Sequence, residues 1–186
     1  PPATSAPPGR ANKEVAVRSF VLTQTYDATA RQVMDAMVHP DLNTFLAARI
    51  PDLKERVELS RNASGDQLDR RTRCTPNPDR IPEVARGVVK PEMVGWVEDA
   101  HFDFSRNVVK VAITPNGFRD VFRFEGSIHV TPQAAGCVRR VEASLEIKMF
   151  VVGRFVEDYL VEEIRRNMEA EGEALRAFLP RVSGQA

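Results

Sequence analysis

Phe150–Leu179, FVVGRFVEDYLVEEIRRNMEAEGEALRAFL, is the stretch whose reading decides the fold. Its apolar residues are Val152, Phe155, Val156, Tyr159, Leu160, Ile164, Met168, Leu175, Phe178 and Leu179. Spacings built from threes and fours put them on one stripe of a helix. The opposite face carries Arg154, Glu157, Glu162, Arg165, Arg166, Glu169, Glu173 and Arg176. A helix this long with so continuous a stripe must lie against something equally long. The partner has to come from the chain that precedes it.

That chain is dominated by strands. Glu14–Tyr26 alternates and is rich in Val, Thr and Phe, with Ala16, Phe20, Leu22 and Tyr26 on one face. Asp27 or Thr29 then caps a short helix to about Ala36, carried by Val33, Met34, Met37 and Val38. His39-Pro40 interrupts, because the residue before a proline is pushed out of helical geometry. Pro40 is expected to start a second short helix through Ala48, anchored by Phe45 and Leu46. From Leu53 to Met149 the period is close to two. Leu53–Ser60 and Gln67–Thr75 flank the turn Asn62-Ala63-Ser64-Gly65-Asp66. Ile81–Lys90 reads as a short helix or a covering loop. Trp96–Ser105, Val108–Thr114, Val121–Thr131 and Cys137–Met149 follow, joined by turns short enough to require antiparallel neighbours.

Face parity says which side of this sheet is covered. Trp96, Ala100, Phe102 and Phe104 share a face, as do Phe122, Phe124, Ile128 and Val130, and Val141, Ala143, Leu145, Ile147 and Met149. The alternate positions are polar, so one face is solvated and the other lies under the long helix. The fold class is α+β: a seven-stranded curved antiparallel sheet around a long C-terminal helix, with two short helices after strand 1.

Composition bounds the function. At 186 residues the chain makes one domain with a substantial core. Residues 1–13 read as a flexible Pro-rich linker or tail, 14–180 as the domain and 181–186 as a tail. The charges balance, 26 Lys plus Arg against 26 Asp plus Glu, which gives no electrostatic case for nucleic acid. No apolar run is long enough to span a bilayer. Cys74 and Cys137 lack metal-ligand spacing and read as small buried thiols, consistent with a cytoplasmic location.

The order of elements resembles the SRPBCC superfamily, the helix-grip group of START lipid-transfer domains, the birch-pollen-allergen (Bet v 1) family and polyketide cyclases. The carrying stretches are FVLTQTYDATARQVMDAMVHPD, IPEVARGVVKPEMVGWVED before a tryptophan-led strand, and FVVGRFVEDYLVEEI at the helix start. They look most like a bacterial domain-of-unknown-function branch of that superfamily. The resemblance implies a cavity between sheet and helix that holds a hydrophobic small molecule, such as a lipid or sterol. Fold analogy does not fix function, so the residues must carry it.

No HExxH, nucleophile elbow, Gly-rich phosphate loop or paired CxxC is present, and no metal or cofactor is expected. This weakens the enzyme reading, a cyclase or hydratase on a polyketide-like substrate, without closing it. Parity places His101 and His129 outward, His101 with Asp99 and Asp103, and His39 at a bend. The anomalies are polar residues on the apolar face: Arg70 and Thr72, Glu98, Arg139 beside Val141, and Arg18 beside Phe20. Buried charge is costly unless paired, so Arg70 and Glu98 are expected to approach each other across adjacent strands. They either orient a ligand head group or form a structural ion pair, unless a bulge resets the parity. The expected lining is Phe20, Leu22, Trp96, Phe102, Phe104, Phe122, Phe124, Tyr159 and Met168, with Arg70 and Glu98 as polar contacts. Tyr159 is either a hydroxyl donor to that cavity or core. Val88, Val89, Met93, Val94 and Met149–Val152 are either a lid, allowing transient membrane contact, or core. A third reading is an interaction module whose cavity is filled by its own side chains. Oligomeric state is not legible.

Overall fold

The computed structural model describes residues 15–80, 94–117, 119, 122–148 and 153–182. The expectations for residues 1–13, Ile81–Lys90, Val88, Val89, Met93 and Met149–Val152, and for the Tyr159 side chain, fall outside what is described. The elements are β1 (Val15–Tyr26), α1 (Ala30–Met37), α2 (Leu42–Arg49), β2 (Leu53–Ser64), β3 (Gln67–Pro76), β4 (Trp96–Asp103), β5 (Val108–Pro115), β6 (Phe122–Pro132), β7 (Cys137–Lys148) and α3 (Gly153–Val182). The strands form one antiparallel sheet in the order β1-β7-β6-β5-β4-β3-β2. β1 pairs with β7, so α1 and α2 carry the chain from one edge of the sheet to the other.

Local chemistry accounts for the boundaries. Thr29 caps α1 by accepting from Gln32 N, and the Gln32 side chain accepts from Thr29 N in return. Val33, Met34 and Met37 are the face α1 buries. α2 begins at Leu42, not Pro40, because His39 Nδ1 accepts from Asp41 N and holds 39–41 in a turn. β2 runs to Ser64 instead of Ser60, leaving only Gly65-Asp66 between the paired strands. Gly65 supplies the positive φ of 57° that this tight turn needs. α3 continues through Pro180 to Val182, past the expected end.

The covered face is the one parity indicates. Phe102, Phe124, Val141 and Leu145 are buried, while Arg123, Arg140 and Glu142 are exposed. α3 buries Ala174, Leu175, Phe178 and Leu179, and the Phe178 ring meets Phe45 at 5.0 Å and His39 at 5.4 Å. A smaller apolar cluster of Phe124, Ala143 and Leu145 sits farther along, with Val161, Ile164 and Met168 packed on it. Among the described residues no helix is long and apolar enough to cross a membrane.

Candidate functional site

Between the two apolar zones lies a belt of charge. It begins on edge strand β2, where two bulges, between Leu53 and Glu55 and between Glu58 and Ser60, reset the alternation. The result sets Arg56 opposite the inward Cys74. Arg56 Nη2 donates to Glu98 Oε1 of β4 at 2.8 Å, and Nη1 donates to Glu171 Oε2 of α3 at 3.5 Å. On the other side Arg139 of β7 donates to Glu171 Oε1 at 3.3 Å and to Gln24 Oε1 of edge strand β1 at 2.7 Å. Glu171 therefore reaches from the helix to both sides of the sheet. Tyr26 Oη adds a bond to Gly172 O at 3.1 Å. A Cβ on Gly172 would overlap the Gln24 amide, so glycine, though costly inside a helix, lets α3 approach β1.

Arg70 sits beside this chain of contacts. Its Nη1 donates to Met37 O, the last carbonyl of α1, at 2.7 Å, where the helix presents its negative end. The guanidinium stands 5.0 Å over the Phe102 ring. Its Nη2 lies 3.8 Å from Glu98 Oε1. The expected Arg70–Glu98 approach is present, then, but as the longer contact; Arg56 is the near partner of Glu98.

Burial shapes the electrostatics. Burial alone would raise the Glu171 carboxyl, but Arg56, then Arg139 and Arg70, outweigh it and hold it below the ordinary glutamate range. Burial pulls Arg70 below the usual arginine value, and neighbouring Arg56 adds to the effect. Burial also pushes the Cys74 thiol up to about 12, so it stays protonated and inert. Among the described residues Nε of Arg56, Arg70 and Arg139 and Oγ1 of Thr72 are buried with no hydrogen-bond partner.

Arg56, Arg70, Arg139, Glu98 and Glu171 border a partly enclosed cavity of about 50 Å³. Its apolar walls include Phe102, Phe124, Ile128, Met168 and Leu175. Gly126 opens its floor: a Cβ there would come within 3.3 Å of Glu142 O and 3.4 Å of the Phe124 ring. Of the residues expected from sequence, Arg70, Glu98, Phe102, Phe124 and Met168 meet at this cavity. Leu22 is core, and Trp96 and Phe104 pack against the larger apolar cluster without lining the cavity. Phe104 stacks on Phe102 and lies under Arg31. Phe20 packs against both clusters and Phe122 against the smaller one, neither reaching the cavity. Arg56, Arg139, Glu171 and Gly126 border it and were not among the expected lining.

The outer face is a different surface. His101 does not pair with Asp99 or Asp103; its Nδ1 lies 2.6 Å from Asp69 Oδ1, directly across on β3. Same-strand neighbours two residues apart are farther than the residue directly opposite. Asp99 faces Arg71, and Asp103 accepts from Ser105 and the Arg106 amide. Among the described residues no group of His, Cys, Asp and Glu is arranged to hold a metal.

Comparison with known proteins gives three findings. A family described as "Protein of unknown function (DUF2505)" matches residues 22–179. No curated protein sequence matches. Solved structures share the fold at low identity. TTHA0849 from Thermus thermophilus superposes with a TM-score of 0.66 at 14% identity, over 89% of this chain and 99% of that one. Ara h 8.0201 gives 0.64 at 11%, again over 89% and 99%. Norcoclaurine synthase from Thalictrum flavum, in complex with dopamine and hydroxybenzaldehyde, gives 0.61 at 18%, over 97% and 98%. At such identities the likeness concerns the fold alone.

Proposed function

This chain belongs to the DUF2505 family and has the SRPBCC helix-grip fold, and on that premise we propose that it binds a small amphipathic molecule between the sheet and α3. The observation that carries the reading is the cavity itself, apolar on most of its wall and charged along one side. Apolar lining supplies affinity by desolvation, and a few placed polar groups supply orientation.

Size limits how the molecule enters. Small-molecule sites usually offer roughly 300–1,000 Å³, against about 50 Å³ here. The closed form holds the polar end of a ligand, and an apolar body of lipid length needs α3 to move from the sheet. The helix is unevenly held: Val161, Ile164 and Met168 are half-buried, whereas Leu175, Phe178 and Leu179 are buried. The part before the belt is the part to yield. The small volume also favours a second reading, an interaction module whose interior is filled. The enzyme reading draws less support, because Arg56 and Arg139 hold Glu171 ionised, whereas an acid–base catalyst works best with a pKa near the working pH.

Native mass spectrometry of the purified protein, followed by denaturing extraction, separates these. The expected result is a co-purifying amphipathic species that is lost when Gly126→Val fills the cavity. A clean apo mass, with no thermal stabilisation by fatty acids, phospholipids or sterols, overturns the binding reading in favour of the filled module.

A further inference from the structure

The belt does not balance. Three guanidinium groups, Arg56, Arg70 and Arg139, have side chains only 6%, 4% and 2% exposed. Among the described residues they face two carboxylates, Glu98 and Glu171, which leaves one positive charge over. The nearest further pair, Glu58 and Arg61 at 2.9 Å, is neutral as a unit and leaves the count unchanged. Tyr26 and Cys74 are both pushed upward by burial and stay neutral. A buried charge without a partner is expensive, and proteins seldom keep one without a use.

The surplus can be assigned to one residue. Arg56 and Arg139 each give both terminal nitrogens to hydrogen bonds with Glu98, Glu171 or Gln24. Among the described residues Arg70 gives only Nη1, to Met37 O. Among the described residues its Nε has no partner, and its Nη2 stands 3.8 Å from Glu98, beyond hydrogen-bond range. Nε and Nη2 form the side-on edge of a guanidinium, the fork that matches a carboxylate in two parallel bonds. Glu98 is drawn off that edge by Arg56. Arg70 also borders the cavity, whose volume of about 50 Å³ takes roughly three waters or one carboxylate group.

We propose that the Nε–Nη2 edge of Arg70 is the binding site for a single carboxylate carried on an apolar body, whose one negative charge completes the belt. The inference rests on the proposed function above and supplies the chemistry of the ligand's polar end. A monoanion fits and a dianion does not, since a second negative charge would face Glu98 and Glu171 unpaired. A neutral alcohol fills the same space but leaves the surplus charge in place.

Calorimetric titration with octanoate, octanol and acetate tests this. Octanoate is expected to bind at least about tenfold tighter than octanol, a modest share of what charge-assisted bonds provide. Arg70→Met should reduce that preference to near unity, and Arg70→Lys, which keeps the charge but not the fork, should fall between. Acetate binding as tightly as octanoate overturns the apolar body and leaves a bare anion site for a small free acid. Acetate binding far more weakly supports the amphiphile. Equal binding of octanol and octanoate to the natural protein overturns the anion site while leaving the proposed function standing; that comparison needs no variant, so a misfolded Arg70→Met does not blunt it. A preference that survives in folded Arg70→Met overturns it too. No binding by any of the three overturns this inference, while the proposed function stands or falls on the native mass spectrometry above.

Discussion

Along α3 the interior changes character within one turn. From Ala174 to Leu179 the helix meets α1 and α2 around Val33, Met34, Leu46 and Phe45, a dry contact in which Leu175, Phe178 and Leu179 are buried and Phe45 half-buried. At Met168–Gly172 the same helix meets Gln24, Arg56 and Arg139 through a carboxylate and backbone carbonyls. The dry end is where burial stabilises: a fully buried large apolar side chain contributes roughly 1.5–3 kcal/mol. The belt brings charges out of water and, among the described residues, leaves Nε of Arg56, Arg70 and Arg139 without a hydrogen-bond partner, which is where free energy is lost. The first region makes the fold stable, and the second gives it something to recognise.

The largest expected effect comes from the dry end. Phe178→Ala removes a ring 3% exposed that packs between Phe45 and His39, and should cost about 3–5 kcal/mol in urea unfolding. A loss under about 1 kcal/mol would mean this end is not the anchor. Next is Glu171→Gln, which leaves Arg56 and Arg139 short of their shared counter-charge. Glu171 is 27% exposed, so solvent relieves part of the penalty and about 2–3 kcal/mol is expected. This loss carries a pH signature. The Glu171 pKa is lower folded than unfolded, so its stabilisation is complete above the ordinary value of 4.5 and fades as the pH falls through the folded value. Glu171→Gln should therefore be closest to the natural protein in acid and furthest from it at neutral pH. A gap independent of pH would show that the charge is not what matters.

How much of this was legible in sequence differs between the same two regions. The dry end reads directly, because Leu175, Phe178 and Leu179 fall on a helical stripe, and Val33, Met34 and Met37 on another. The belt reads in pieces. Arg70, Glu98 and Arg139 stand out as polar residues on an apolar face. Arg56 does not, because counting by twos from Leu53 turns it outward; only the bulge after Leu53 brings it in. A bulge is set by tertiary fit and leaves no mark in the alternation. Glu171 did leave a signal that went unused: it lies three residues after Met168 and four before Leu175, on the apolar stripe itself. A carboxylate at such a position asks for a buried cation. The pairing of His101 with Asp69 needed strand register, which face parity alone does not supply.

The smallest expected effect lies on the outer face and is the sharpest check on the distinction between wet and dry. The His101–Asp69 contact, at 2.6 Å, is shorter than either bond from Glu171. If distance set energy, it would be the stronger interaction. Its side chains, however, are 42% and 67% exposed. Water screens the attraction and solvates either partner when the other is removed, so exposed pairs contribute roughly 0–1 kcal/mol. Asp69→Asn should thus shift stability by less than about 0.5 kcal/mol, and added salt should barely change the result. A cost equal to that of Glu171→Gln would put the outer face on the same footing as the belt, and the case for a special interior charge at Arg70 would lose its physical basis.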